Sequence, residues 1–157
     1  MSADLQNKKA PSFTLLSSEK TPISLRDYKD KFVMVYFYPK DETSGCTIEA
    51  LAFKEKYWEI TDLDVVLLGI STDDVKSHCS FINHHDLPYP LLSDINHEVS
   101  ERYGVWIQKT MNGHEYWGIE RTTFIIDPQG IIRDIIQNIK PNEHPQRAVE
   151  KVLSIKY

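Results

Sequence analysis

The run Phe32-Val33-Met34-Val35-Tyr36-Phe37-Tyr38 constrains this chain more than any other stretch, because it carries no charged side chain and is rich in aromatic and β-branched residues. A strand of that kind is buried on both faces and needs a layer of structure above and below it. Pro39 ends it, since proline cannot donate to a sheet ladder. From Thr43 onward the hydrophobic spacing becomes helical, with Ile48, Leu51, Ala52 and Tyr57 as apolar positions and Trp58 between charged ones. Thr43, Ser44 and Gly45 are small capping-type residues, so Cys46 falls in or near the first helical turn.

The other segments repeat the alternation. Val65 to Ile70 reads as a second buried strand, and Ser71-Thr72-Asp73-Asp74 as the cap and acidic turn of a helix running to about His85. Strand, helix, strand and helix in that order imply a right-handed parallel crossover. Before them, Ser12 to Leu16 and Ile23 to Leu25 flank a polar turn and form an N-terminal hairpin. After them come a short Leu91-Leu92 strand, a short helix from Glu98 to Tyr103 stopped by Gly104, and strands around the turn dipeptide Asn112-Gly113. Thr122 to Ile126 and Ile131 to Ile136 then flank the turn Asp127-Pro128-Gln129-Gly130, and an amphipathic helix spans Pro145 to Ile155. The expectation is an α/β fold, a central mixed sheet flanked by helices, in a single domain over residues 1–157.

Charge narrows the function classes. A net charge of −5 without clustered Lys/Arg argues against nucleic-acid and membrane-surface partners. The polar start from Met1 to Lys9 lacks the apolar stretch of an export signal, and no apolar run is long enough to span a bilayer. A cytoplasmic location follows, where a cysteine is either inert filler or a reactive thiol.

Cys46 is the reactive candidate. Unpaired backbone N–H groups and the positive end of the helix dipole favour a thiolate in a first turn. Bringing a thiol from pKa ~8.5 to roughly 6 takes about 3.4 kcal/mol, whereas a helix N-terminus supplies only about 0.3–1 kcal/mol. A cation or several hydrogen bonds must provide the rest. Full ionisation gains only about thirtyfold over an ordinary thiol at pH 7, so fast chemistry must also stabilise the charge that builds on a departing oxygen.

The stretch Tyr36-Phe37-Tyr38-Pro39-Lys40-Asp41-Glu42-Thr43-Ser44-Gly45-Cys46-Thr47 resembles the peroxiredoxins, specifically the bacterioferritin-comigratory or Q-type group. The resemblance extends to Ala10 to Leu15, Glu49, Ser77-His78, Leu91 to Asp94, and Gly118 to Asp127. It implies a thioredoxin-like fold and a thiol-dependent peroxidase acting on hydrogen peroxide and organic hydroperoxides, recycled by thioredoxin or a similar dithiol. It further implies Cys46 as the attacking cysteine, Thr43 bonding the thiolate or the peroxide, Pro39 shielding the pocket, Arg121 supplying the cation from a strand, and Glu49 holding that arginine. The group leans towards a monomer, and neither cofactor nor metal is expected.

Two positions depart from the group. Ser44 stands where proline is common, which loosens the loop without removing a reacting group. Leu51 stands five residues after Cys46, where a resolving cysteine is often found. Cys79 is the remaining thiol, and its alignment with Val75 and Ile82 on one helix face reads as a core position. The resemblance nonetheless implies that some members place a resolving cysteine on this helix, about one turn later near Ile82. His78, Cys79, His84 and His85 have the composition of metal ligands but no tetrahedral zinc spacing. Two other functions fit the sequence less well. A thioredoxin-like disulfide oxidoreductase needs Cys-x-x-Cys, and residue 49 is Glu; a non-catalytic binding domain predicts loss of Arg121 or Thr43, and both are present.

Overall fold

In the computed structural model, which describes residues 1–157, strands β1 (Thr14–Ser17) and β2 (Pro22–Ser24) form the expected antiparallel hairpin. The aromatic run is β3 (Phe32–Phe37), followed by α1 (Ser44–Asp62), β4 (Val65–Ser71), α2 (Val75–His85) and β5 (Leu91–Ser93). A short α3 (Glu98–Arg102) leads to β6 (Trp106–Met111) and β7 (His114–Ile119), then β8 (Thr122–Ile126), β9 (Ile132–Ile136) and α4 (His144–Lys156). The seven-stranded sheet has the order β2-β1-β5-β4-β3-β8-β9, with β3, β4 and β5 parallel and the outer pairs antiparallel. It is the mixed sheet of a thioredoxin-like fold. No helix is long and apolar enough to cross a membrane.

Every residue of β3 is buried, and its alternation divides the core. Met34, Tyr36 and Tyr38 meet α1 and α4 residues Ala50, Phe53, Ala148 and Val152, while Val33, Val35 and Phe37 pack with Phe124, Val99 and Tyr103 on the other face. Tyr36 stacks on Phe53 with ring centroids 4.3 Å apart. Tyr36 also meets the Tyr89 hydroxyl at 2.9 Å, and Tyr89 donates to the Ala50 carbonyl, so the sheet and α1 are joined by hydrogen bonds inside the core.

Two expectations need correction. Ile48, Leu51 and Trp58 are exposed, and the buried face of α1 is Cys46, Glu49, Ala50, Phe53 and Ile60. A glutamate on the inner face displaced the apparent apolar stripe by about one position. Cys79 is half-buried rather than a core thiol: His78 and Phe81 point inward, and the Cys79 Sγ donates to the Ser18 carbonyl at 3.2 Å beside the β1–β2 hairpin. Strands β6 and β7 lie outside the main sheet as a separate hairpin, turned by Asn112 and Gly113 at φ 52° and 80°.

Gly69 sits where β4 meets Tyr36 and Leu91. A Cβ there would stand 2.7 Å from the Leu91 Cδ2 and 3.0 Å from the Tyr36 ring. Gly69→Ala is therefore expected to destabilise the chain by about 1–3 kcal/mol through overpacking, read as a lower urea midpoint with an unchanged m-value.

Candidate active site

The end of β3 and the start of α1 are separated by one tight loop, and that loop is anchored to α2. Asp41 is buried and accepts from the Tyr38 hydroxyl at 2.6 Å, the Ser77 hydroxyl at 2.8 Å and His78 Nδ1 at 2.8 Å. The Asp41 backbone N–H donates to Asp73, whose carboxylate also takes the Ser71 hydroxyl. His78 Nε2 meets the Leu92 carbonyl at 3.0 Å. Asp41, Asp73 and His78 have the geometry of a metal cluster, yet each spends its polar atoms on these bonds and works as a structural knot. Pro39 is half-buried where β3 gives way to the loop.

Thr43 is the N-cap of α1, accepting the first helical bond from the Thr47 N–H at 2.8 Å. Its hydroxyl caps nothing and instead donates to the Lys40 carbonyl at 2.8 Å. The Oγ1 proton is thereby committed, and the oxygen is left as an acceptor. Cys46 stands in the first turn with 1% exposure, among the backbone N–H groups that a helix start leaves unpaired. Glu49 follows one turn later on the same face, fully buried.

Arg121 completes the site from beside the end of β3. It lies in the two-residue connection between β7 and β8 rather than on a strand. Antiparallel pairing of Phe37 with Thr122 places that connection against the end of β3. Gln137, just past β9, donates to Glu120 Oε1 and Thr122 Oγ1, which fixes the backbone on both sides of the arginine. Nη1 donates to Glu49 Oε1 at 2.6 Å and Nη2 reaches the Cys46 Sγ at 3.6 Å. Burial works against the Arg121 charge, and Glu49 and Cys46 together outweigh it, so the guanidinium is held above the ordinary arginine value. Burial pushes the Glu49 carboxyl up to about 8, with Arg121 pulling against that rise.

Three further residues belong to the site, and two of them, His144 and Lys109, left no signal in the sequence pattern. His144, at the start of α4, is buried, meets the Thr123 hydroxyl at 2.9 Å and lies 3.7 Å from Glu49 Oε2. Burial and then Arg121 lower its pKa to about 4, which keeps the ring neutral. Glu49 Oε2 and His144 Nε2 have no hydrogen-bond partner. Lys109 of β6 lies within electrostatic reach of Arg121 and Cys46; burial and then Arg121 depress its ammonium, while Cys46 pulls the other way. Gly45 gives Arg121 room, because a Cβ there would stand 3.0 Å from Nη2.

The sequence and fold have known counterparts. The AhpC/TSA family model matches residues 6–135. The chain is 46% identical to the peroxiredoxin Bcp assigned in Coxiella burnetii, over 92% of this chain and 96% of that one. It is 39% identical to the peroxiredoxin Bcp of Bacillus subtilis over 91% of each. Among solved structures, the bacterioferritin comigratory protein of Xanthomonas campestris, studied for its alkyl peroxide reduction, superposes with a TM-score of 0.87 at 31% identity over 92% of both chains.

Two outcomes are expected from this geometry. Gly45→Ala adds a helix-favouring residue in the first turn, by about 1 kcal/mol, but crowds the arginine nitrogen that faces the sulfur. It should slow Cys46 oxidation in stopped-flow assays without lowering the urea midpoint.

The second concerns pH. Between about 4.5, the ordinary carboxyl value, and about 8, the folded chain keeps a proton on Glu49 that the unfolded chain has lost, so stability falls as pH rises through that window. His144 acts in the opposite sense: from 6.5 down to about 4 only the unfolded ring takes a proton, so stability falls as pH drops. Unfolding free energies measured from pH 4 to 8.5 should lose the first slope in Glu49→Gln and the second in His144→Gln.

Proposed function

The chain belongs to the AhpC/TSA family and is a thiol-dependent peroxidase of the peroxiredoxin Bcp group; we propose that Cys46 is its nucleophile, with Arg121, Thr43, Glu49 and Pro39 forming the site around it. The observation that carries this reading is the buried Cys46 Sγ, set in a helix first turn 3.6 Å from the Arg121 guanidinium. The cation supplies charge stabilisation that the helix end alone cannot.

The thiolate attacks one oxygen of the hydroperoxide in line with the O–O bond. The S–O bond forms as the O–O bond breaks, the departing oxygen takes a proton and leaves as water or an alcohol, and Cys46 becomes a sulfenic acid. Thr43 Oγ1, its own proton given to Lys40, accepts from the peroxide O–H and orients it. Arg121 spans the attacked and departing oxygens and meets the charge that develops there. Glu49 keeps the guanidinium in position, and Pro39 shields the loop side of the pocket from water.

Recycling uses Cys79. Its half-buried thiol lies on α2, the helix to which the Cys46 loop is anchored. Attack of Cys79 on the sulfenic acid releases water and leaves a disulfide. A thiol reductant opens that disulfide; we assign this role to thioredoxin or a similar dithiol protein. Forming the bond requires the first turn of α1 to unwind, since the two sulfurs start on different helices with different partners. All of the proposed residues lie on one chain, which suits a monomer, and we place the protein in the cytoplasm.

Treatment of the reduced protein with one equivalent of hydrogen peroxide should remove two hydrogens from its intact mass and link the Cys46 and Cys79 peptides. Cys79→Ser should instead gain one oxygen on Cys46, and Cys46→Ser should not react at the assay's time scale. Turnover of peroxide by Cys46→Ser would remove Cys46 from its assigned role. Oxidised Cys46 without a linkage in the native chain would assign recycling to the external thiol alone.

A further inference from the structure

Glu42, in the same loop as Asp41, carries a second contact to α2. Its Oε2 meets His84 Nδ1 at 2.7 Å and its Oε1 meets His85 Nε2 at 2.8 Å. The donor atoms of all three side chains lie within 4.8 Å of one another. We propose that Glu42, His84 and His85 form a binding site for a divalent metal of the zinc class, which clamps the Cys46 loop to the last turn of α2.

Neighbouring residues on a helix diverge by about 100°, and adjacent histidines do not ordinarily converge. Here they do, because His84 presents its near ring nitrogen and His85 its far one, with the rings 4.3 Å apart. The backbone under them is secured. Lys54 donates to the His85 carbonyl at 2.9 Å, and the His85 ring meets Phe81 edge to face at 5.2 Å. Two imidazole nitrogens and one carboxylate oxygen are a donor set suited to zinc, leaving a fourth position for water.

The metal fits with little movement. Ligand atoms about 2.0–2.2 Å from zinc in a tetrahedron lie about 3.3 Å apart, so the two histidine–carboxylate contacts have to open by about half an ångström. His84 is 65% exposed and Glu42 44%, and both side chains can yield by that much. Sequence spacing argues against a site built from His78, Cys79, His84 and His85, and the structure sends the first two to other partners. The missing ligand comes from Glu42, 42 residues before His84.

The clamp's position gives it a consequence. Glu42 precedes Thr43, the N-cap of α1, and Cys79 lies on α2 between the Asp41 contacts at Ser77 and His78 and the Glu42 contacts at His84 and His85. A metal bound there leaves the Cys46 pocket intact while resisting the unwinding needed to bring Cys46 to Cys79. That consequence rests on the recycling route proposed above; the metal site itself does not.

The test is zinc titration by calorimetry in the Cys46→Ser/Cys79→Ser protein, which removes competing thiolates. One equivalent of Zn²⁺ should bind, with affinity reduced at least about tenfold in His84→Gln and in Glu42→Gln, both exposed positions, and unchanged in His114→Gln. Hydrogen exchange over residues 40–47 should slow when zinc is added. Absence of saturable binding at millimolar zinc, binding that survives both ligand substitutions, or binding without slower exchange would each overturn the proposal and leave Glu42 a hydrogen-bonded latch. None of these measurements uses peroxide, so they stand apart from any failure of the peroxidase assignment.

Discussion

Arg121 donates to the Glu49 carboxyl from one nitrogen and faces the Cys46 sulfur with another, in a site where both acids are buried. One cation cannot balance two anions where water is excluded. A charge pair about 4 Å apart gains about 4 kcal/mol at an effective dielectric of 20, and less when a second anion draws on the same cation. That is about the energy an activated thiol needs beyond its helix end. Burial raises the Glu49 carboxyl against the pull of Arg121, and for the proposed role of Cys46 a protonated Glu49 would keep its hydrogen bond to the guanidinium while leaving the positive charge to the sulfur.

Much of the fold follows from placing that guanidinium. The site draws on two ends of the sheet's central pair: β3 delivers the loop and the start of α1, and β8, paired antiparallel to it, begins one residue after Arg121. A slip of one residue in the pairing would turn every side chain of β8 to the other face and move the arginine from the sulfur. Burial of all five β8 residues specifies the register, and Gln137 holds the connection beyond it. The wholly apolar β3 is therefore a positioning device as well as the centre of the core.

The legible parts were those with strong local patterning. The aromatic run, the Asp74 cap of α2, the Asn112-Gly113 turn and the helix start at Cys46 depend on neighbouring residues and appear where the pattern puts them. The inner face of α1 was misread because hydropathy counts Glu49 as a surface residue, while its partner is 72 positions away. The same limit hid His144 and Lys109, whose importance comes from tertiary neighbours rather than from spacing. Thr43 is legible as a site residue, but no local pattern shows that its hydroxyl proton goes to the Lys40 carbonyl. For Cys79 the spacing to Val75 and Ile82 is real, but all three are half-buried: Ile82 packs at the margin of the core while the Cys79 thiol donates to Ser18 beside the edge hairpin.

The loop between β3 and α1 has to satisfy two opposing demands. Peroxide chemistry wants it rigid, so that Thr43, Cys46 and Arg121 keep their separations within tenths of an ångström. Recycling through a second cysteine wants the same segment to unwind. Asp41 meets the first demand with three hydrogen bonds in a buried setting, where breaking them exposes an unpaired carboxylate. Glu42 and Thr43 lie exposed, and Glu42 adopts a left-handed φ of 64° that a non-glycine residue rarely occupies. The firm anchor thus lies at Asp41 and the weaker backbone between Asp41 and Cys46, so unwinding can begin at the helix start while the end of β3 and its network to α2 stay in place. Ser44, without a proline's fixed backbone, leaves that short segment free to open.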